Sequence, residues 1–238
     1  MFKSVVFFLL IVMVFFFQIN SVMAGDKPDK LIRFGVRGGF NSATTTEDFE
    51  GATKKSRSTF GAGIFMDYFF MSSLAAQINL LYNNKGVKFE GSDDFGGITS
   101  SYKYEEKLAY LSIPVLLRYG FPTGGSVMPY VMAGPELGIL MSAKAKSESS
   151  YSGILTLQEG VQQDETSSDE QDIKDQLKST ELALNFGAGV EVPLSSIVLL
   201  LDVRYGLGLT KYHKKPETGE EPNAKNNVLY VNVGVALP

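Results

Sequence analysis

The chain has 238 residues, with 22 Lys+Arg against 26 Asp+Glu and a formal charge of −4. Its pI is near 5.2, so it offers no basic footprint for nucleic acid. It has no cysteine and one histidine, which excludes a disulfide framework and a Cys/His metal cluster.

Residues 1–24 have the layout of a secretory signal peptide: Lys3, an unbroken apolar run from Val5 to Phe17, and Val22-Met23-Ala24 before Gly25. Cleavage is expected after Ala24. The run is shorter than the roughly 20 residues of a spanning helix, and no cysteine follows to carry a lipid anchor. No later stretch of about 18 apolar residues occurs, so no helical span is expected. Residues 25–238 are expected to form one β-barrel domain.

Eight segments of that domain alternate apolar and polar residues with the period of two that marks a strand. They are Leu31–Asn41, Ser58–Phe70, Leu74–Val87, Glu106–Phe121, Val127–Ser142, Glu181–Pro193, Ile197–Leu209 and Asn227–Leu237. In Ile197–Leu209 the odd positions are Ile, Leu, Leu, Val, Tyr, Leu and Leu, whereas the even ones include Asp202, Arg204, Gly206 and Gly208. Each segment can supply the roughly 9–11 residues that a tilted strand needs to cross a bilayer.

The connections alternate as well. Met71–Ser73, Pro122–Ser126 and Leu194–Ser196 are short, whereas Ser42–Arg57, Lys88–Glu105, Ala143–Thr180 and Lys211–Asn226 are long and polar. Short turns inside and long loops outside are the habit of outer-membrane barrels. The predicted fold is therefore all-β, an eight-stranded antiparallel up-and-down transmembrane barrel, closed because an open edge in lipid would leave backbone groups unsatisfied. The alternative is a soluble lipocalin-like barrel holding a small apolar ligand. It requires the apolar faces to point inward, and the uniform apolar face of every segment argues against it.

With the apolar faces outward, the lumen collects Arg33, Arg37, Arg118 and Arg204 against Asp67, Glu136, Glu191 and Asp202. An eight-stranded interior is just wide enough for side chains to fill, and charges enclosed there must pair. They are expected to form a structural network that closes the lumen, with a narrow pore as the alternative. For Arg204 the candidate partners are Glu191 and Asp202.

Sites of chemistry are sparse. His213 stands among Lys211, Lys214 and Lys215 in a loop, where it is expected to be solvated. A Ser/His/Asp set cannot be closed within the strands, because the histidine lies outside them. Gly61, Gly63, Gly187 and Gly189 sit inside strands with no GK[ST] following, so they form no phosphate loop. The connection 143–180 carries Glu148, Glu159, Asp164, Glu165, Asp169, Glu170, Asp172 and Asp175 without EF-hand spacing. It is expected to be a solvated, partly disordered loop. No enzyme activity and no cofactor are implied. The expected partners are outer-membrane lipid and a protein met through loops 143–180 and 211–226, with the barrel itself a monomer.

Several stretches carry a family likeness: Tyr110–Tyr119 (YLSIPVLLRY), Pro129–Pro135 (PYVMAGP), Asp172–Thr180 (DIKDQLKST) leading into Phe186–Glu191 (FGAGVE), and Asp202–Thr210 (DVRYGLGLT). Together they resemble the PorT-type outer-membrane β-barrel family of Bacteroidetes. The likeness runs along the mature chain and is firmest in the fourth to seventh strands. It implies an eight-stranded outer-membrane barrel and, through one namesake, a link to a secretion system. It departs at Ala236-Leu237-Pro238, where such barrels commonly finish on an aromatic residue.

Overall fold

The computed structural model describes residues 30–49, 51–95, 98–155, 161–162, 165–216 and 222–237; the expected signal peptide, Glu159 and Asp164 lie outside them. The strands are β1 (Ile32–Thr45), β2 (Thr53–Met71), β3 (Leu74–Phe95), β4 (Ile98–Gly120), β5 (Met128–Leu155), β6 (Val161–Gln162), β7 (Glu165–Asp172), β8 (Thr180–Pro193), β9 (Val198–Gly208) and β10 (Asn226–Ala236). Eight of them close a ring. Strands β1 to β5 and then β8 to β10 each pair antiparallel with the next, and β10 returns to β1. Among the described residues, no helix is long and apolar enough to cross a membrane.

Alternation in the sequence becomes inside and outside in the ring. Along β9, Val198, Leu200, Asp202, Arg204, Gly206 and Gly208 are buried while Leu201, Val203 and Leu207 are exposed. Along β10, Asn226, Val228, Tyr230, Asn232, Gly234 and Ala236 are buried while Leu229, Val231 and Val233 are exposed. A one-residue slip would turn Asp202 and Arg204 outward, so burial of those charges fixes the register. Since the charged faces line the interior, the lipocalin-like arrangement does not occur.

The outer surface is an apolar belt. Tyr68 and Phe70 meet edge to face at 5.2 Å, and Tyr119 and Phe121 at 5.0 Å, beside the short turns. At the other border Phe40 and Phe60 meet at 5.9 Å. Aromatic girdles of this kind mark the two interfaces of a membrane-spanning barrel.

The long connections differ from expectation. Segment 88–105 is not a loop, because β3 and β4 stay paired from Leu74↔Tyr119 to Phe95↔Ile98. Much of 143–180 is not a loop either: β5 runs for 28 residues, and β7 pairs with it from Lys144↔Asp172 to Tyr151↔Glu165. Their alternation is brief, with Phe89 and Ala145 buried between charged neighbours, and they lack the continuous apolar face of the belt. Backbone irregularities lie where the sheet leaves the belt. Met141 is skipped between Ala109↔Ser142 and Tyr110↔Leu140, a bulge that bends the strand. Gly86 has φ of 125°, and a Cβ there would lie 1.9 Å from the Glu106 carbonyl oxygen.

Candidate functional site

The lumen is the candidate site, and its side chains form four groups between the short turns and the long hairpins. Nearest the turns, Arg33 lies directly across from Asp67 in the β1–β2 register. Its Nη2 donates to Asp67 Oδ2 at 2.7 Å and its Nη1 to Glu191 Oε1 at 2.7 Å. Arg118 Nη2 donates to Glu191 Oε2, Arg118 Nη1 stands 3.6 Å from Asp67 Oδ2, and Gln77 Nε2 donates to Asp67 Oδ1 at 2.7 Å. Two bases and two acids thus make a closed quartet. Phe65, Leu116, Tyr130, Met132, Val198, Leu200 and Ala236 form a buried apolar cluster within the lumen, and the Arg118 guanidinium stacks 4.1 Å over the Tyr130 ring.

In the second group, Asp202 gathers four neighbours. Arg37 Nη2 donates to Oδ2 at 2.6 Å, Tyr130 Oη to Oδ2 at 3.2 Å and Asn232 Nδ2 to Oδ1 at 2.9 Å. Arg204 Nε lies 3.1 Å from Oδ1 but lacks the alignment of a hydrogen bond. Its guanidinium instead rests over the Tyr230 ring at 5.6 Å. Of the two partners considered for Arg204, the structure brings Asp202 to it. Arg37 Nη1 also donates to Gln77 Oε1 and Asn79 Oδ1, both at 2.9 Å.

A third group centres on Lys85, which is wholly buried. Its ammonium donates to Glu136 Oε1 at 2.9 Å and to Glu181. Asn185 Nδ2 donates to Glu136 Oε2 at 2.8 Å, and Asn226 Nδ2 to Glu181 Oε2 at 2.7 Å. At the mouth, Glu106 accepts from Tyr212 Oη at 2.7 Å and from Tyr104 Oη at 3.2 Å. Burial beside Glu106 pushes the Tyr212 hydroxyl well above its ordinary range. An apolar cluster of Leu108, Tyr110, Leu140, Ala143, Ala145, Ile173, Leu177, Tyr212 and Ala224 packs at this end.

All eight charges singled out in the sequence lie on inward faces and are buried. Their equal division of signs does not describe the whole interior, because Lys85, Glu106 and Glu181 are enclosed with them. The signal was available: Lys85 follows Asn83 by two, Glu181 precedes Asn185 by four and Glu106 precedes Tyr110 by four, so all three share the inward parity. His213 also departs from expectation. It is not solvated but half-buried, with Nε2 3.4 Å from Glu106 Oε1, its ring against Tyr212 at 4.7 Å and its backbone bridged to Leu177. The loop is pulled into the mouth because Tyr212 and Ala224 bury apolar surface there.

A closed antiparallel ring with an apolar belt and a charged interior defines a transmembrane β-barrel. Residues 18–214 match the outer membrane protein beta-barrel domain family, and the chain belongs to that family. Its place is therefore the outer membrane of a Gram-negative bacterium.

Solved structures of low identity are similar over nearly their whole length. Neisserial surface protein A shares 16% identity at a TM-score of 0.41, with 86% of this chain and 96% of that chain covered. The outer membrane protein OprG from Pseudomonas aeruginosa shares 16% at 0.41, covering 90% and 98%. Ail of Yersinia pestis, solved with the heparin analogue sucrose octasulfate, shares 13% at 0.35, covering 87% and 100%. No curated protein matches the sequence.

Proposed function

We propose that this chain is a PorT-type barrel of a Bacteroidetes outer membrane, exported by cleavage after Ala24, non-enzymatic and non-conducting. Its role is structural or adhesive, or accessory to a secretion system, and is exercised by the long-hairpin end facing outward. The observation that carries this reading is the filled lumen: four charge groups, each held together by its own hydrogen bonds, follow one another along it, with buried apolar clusters both in the lumen and at the mouth. Ions would have to break buried pairs that no water replaces, which is costly. The non-enzymatic part is supported by His213, whose ring nitrogen faces Glu106 and aromatic neighbours in place of a nucleophile.

Planar-bilayer recording tests the closed lumen, with no steady conductance expected. A steady, ion-selective current would overturn it in favour of a narrow pore. Orientation is tested separately with protease sites on intact cells. A site beside Lys215 should be cut, while one at Gly124 in the short turn should be protected until the outer membrane is opened; the reverse pattern would invert the barrel.

A further inference from the structure

The sheet that β2, β3, β4, β5 and β7 raise above the belt has an open side at β7. Residues Glu165–Asp172 of β7 pair in unbroken register with Tyr151–Lys144 of β5. Among the described residues, no strand pairs with the other edge of β7. Past the β8–β9 ladder, which starts at Ala183↔Gly208, the chain that follows β9 stays bonded on this side as far as Gln176, whose carbonyl accepts from Lys214 N at 2.9 Å. Among the described residues, the backbone donors and acceptors on this side of β7 therefore have no partner strand. Edges of this kind are usually blunted by charge, proline, a bulge or a covering loop; the stretch ETSSDEQD has no proline and no register shift, and its charges are all acidic, which repels a like edge but not a basic one.

This edge is also held in place. Just below it Ile173 N donates to the Ala143 carbonyl at 3.1 Å, and Ile173 and Leu177 are buried in the mouth cluster. Lys174 N donates to Asp172 Oδ1 at 2.8 Å. A strand added to an edge already ordered in this way loses little to ordering.

Charge decides which chain fits. Thr166–Asp172 are all exposed and bear Asp169, Glu170 and Asp172 with no base. Glu170 is engaged by Lys107 and Lys144, each at 2.8 Å, and Asp172 by the Lys174 amide, so Asp169 remains to meet an incoming chain. A second copy of β7 would bring like charges together, which adjacent strands disfavour.

We propose that the free edge of β7 binds an extended lysine- or arginine-bearing segment of a partner protein as an additional strand. Main-chain hydrogen bonds would supply affinity and the carboxylates the selection. This rests on the reading of the long-hairpin end as the working surface, and it names the chemistry of the partner that end would take.

The test uses the full barrel in lipid nanodiscs, which leave both ends accessible. The probe is a fluorescent peptide of alternating lysine and threonine. It should bind saturably, slow amide exchange within 165–172, and weaken as salt is raised. N-methylation of alternate peptide residues, which keeps the charge but removes main-chain donors, should weaken binding by about tenfold or more. Asp169→Lys, on an exposed position, should weaken it too, and a glutamate–threonine peptide should not compete. Equal binding of the N-methylated peptide, protection appearing elsewhere, or no saturable binding would overturn the proposal. An inverted orientation would show in the protease assay and leave the nanodisc result unchanged.

Discussion

Two arrays of paired charges cross the strands of this barrel, one inside the ring and one on the sheet above it, and their surroundings oppose them. In the lumen quartet the side chains of Arg33, Asp67, Arg118 and Glu191 are 7%, 0%, 2% and 10% exposed. On the raised sheet Lys55, Glu90, Lys144 and Glu170 are 54%, 31%, 51% and 37% exposed. Distances do not separate the arrays, because Arg33–Glu191 closes to 2.7 Å and Lys144–Glu170 to 2.8 Å. What separates them is whether water can replace a lost partner. Inside, a deletion leaves a buried ion; outside, solvent takes over and the pair is worth little.

The sharpest test of that difference is Glu191→Gln. It keeps the volume but removes the anion shared by Arg33 and Arg118. Breaking a buried pair in this way should cost about 3–5 kcal/mol, read as a shift in denaturant midpoint for the barrel folded in lipid vesicles. Adding Arg33→Met should return part of the loss, since one stranded cation is then gone. A single-variant cost below about 1 kcal/mol, the range of exposed pairs, would show that water reaches the quartet.

Leu201→Arg tests the opposite wall. Leu201 is on the exposed face of β9, registered between Val190 of β8 and Val233 of β10. A base placed there near mid-bilayer should cost roughly 2–4 kcal/mol, while the same protein in detergent should show a smaller change. Equal midpoints for wild type and variant in vesicles would refute the lipid-facing belt.

Arg204→Ala should be milder, at about 1–3 kcal/mol. Its contact to Asp202 is not a well-aligned hydrogen bond, and Asp202 keeps Arg37, Tyr130 and Asn232 when Arg204 is gone. Denaturant melts beside Glu191→Gln rank the two. A larger loss for Arg204→Ala would mean that stacking over Tyr230 outweighs the ion pairs.

How much of this was legible in the sequence follows from the same contrast. Within the belt one face must be apolar and the other polar, so Leu201 beside Asp202 wrote the register directly into the chain. The raised sheet has water on its outer surface, and Lys88–Glu105 could pair with only Phe89 and Tyr104, facing each other across the ladder, to announce it. The lumen charges were readable wherever the apolar face beside them was clean. Lys85, Glu106 and Glu181 lie at the rim, where that face fades into polar residues, and parity alone pointed to them. Pairing was not readable: Asp67 and Glu191 meet through Arg33 and Arg118 across the lumen, from strands that are not neighbours in the ring.

Acid gives the smallest effect and the finest comparison. Hydrogen bonds from Lys107, then Lys144, hold the Glu170 carboxyl at about 2, below its ordinary 4.5. A carboxyl depressed by folding stabilises the protein above its unfolded value and loses that contribution as pH falls through the folded value. For Glu170 the contribution should be whole above about pH 4.5 and fade toward pH 2. The group lies at the exposed surface, so salt screens it, and Glu170→Gln should leave the neutral-pH midpoint almost unmoved. Any gap between wild type and variant should close on acidification and shrink at high salt, whereas the Glu191→Gln deficit at neutral pH should resist salt because its partners are enclosed. A salt-insensitive loss for Glu170→Gln that rivals Glu191→Gln would erase the distinction between the two arrays.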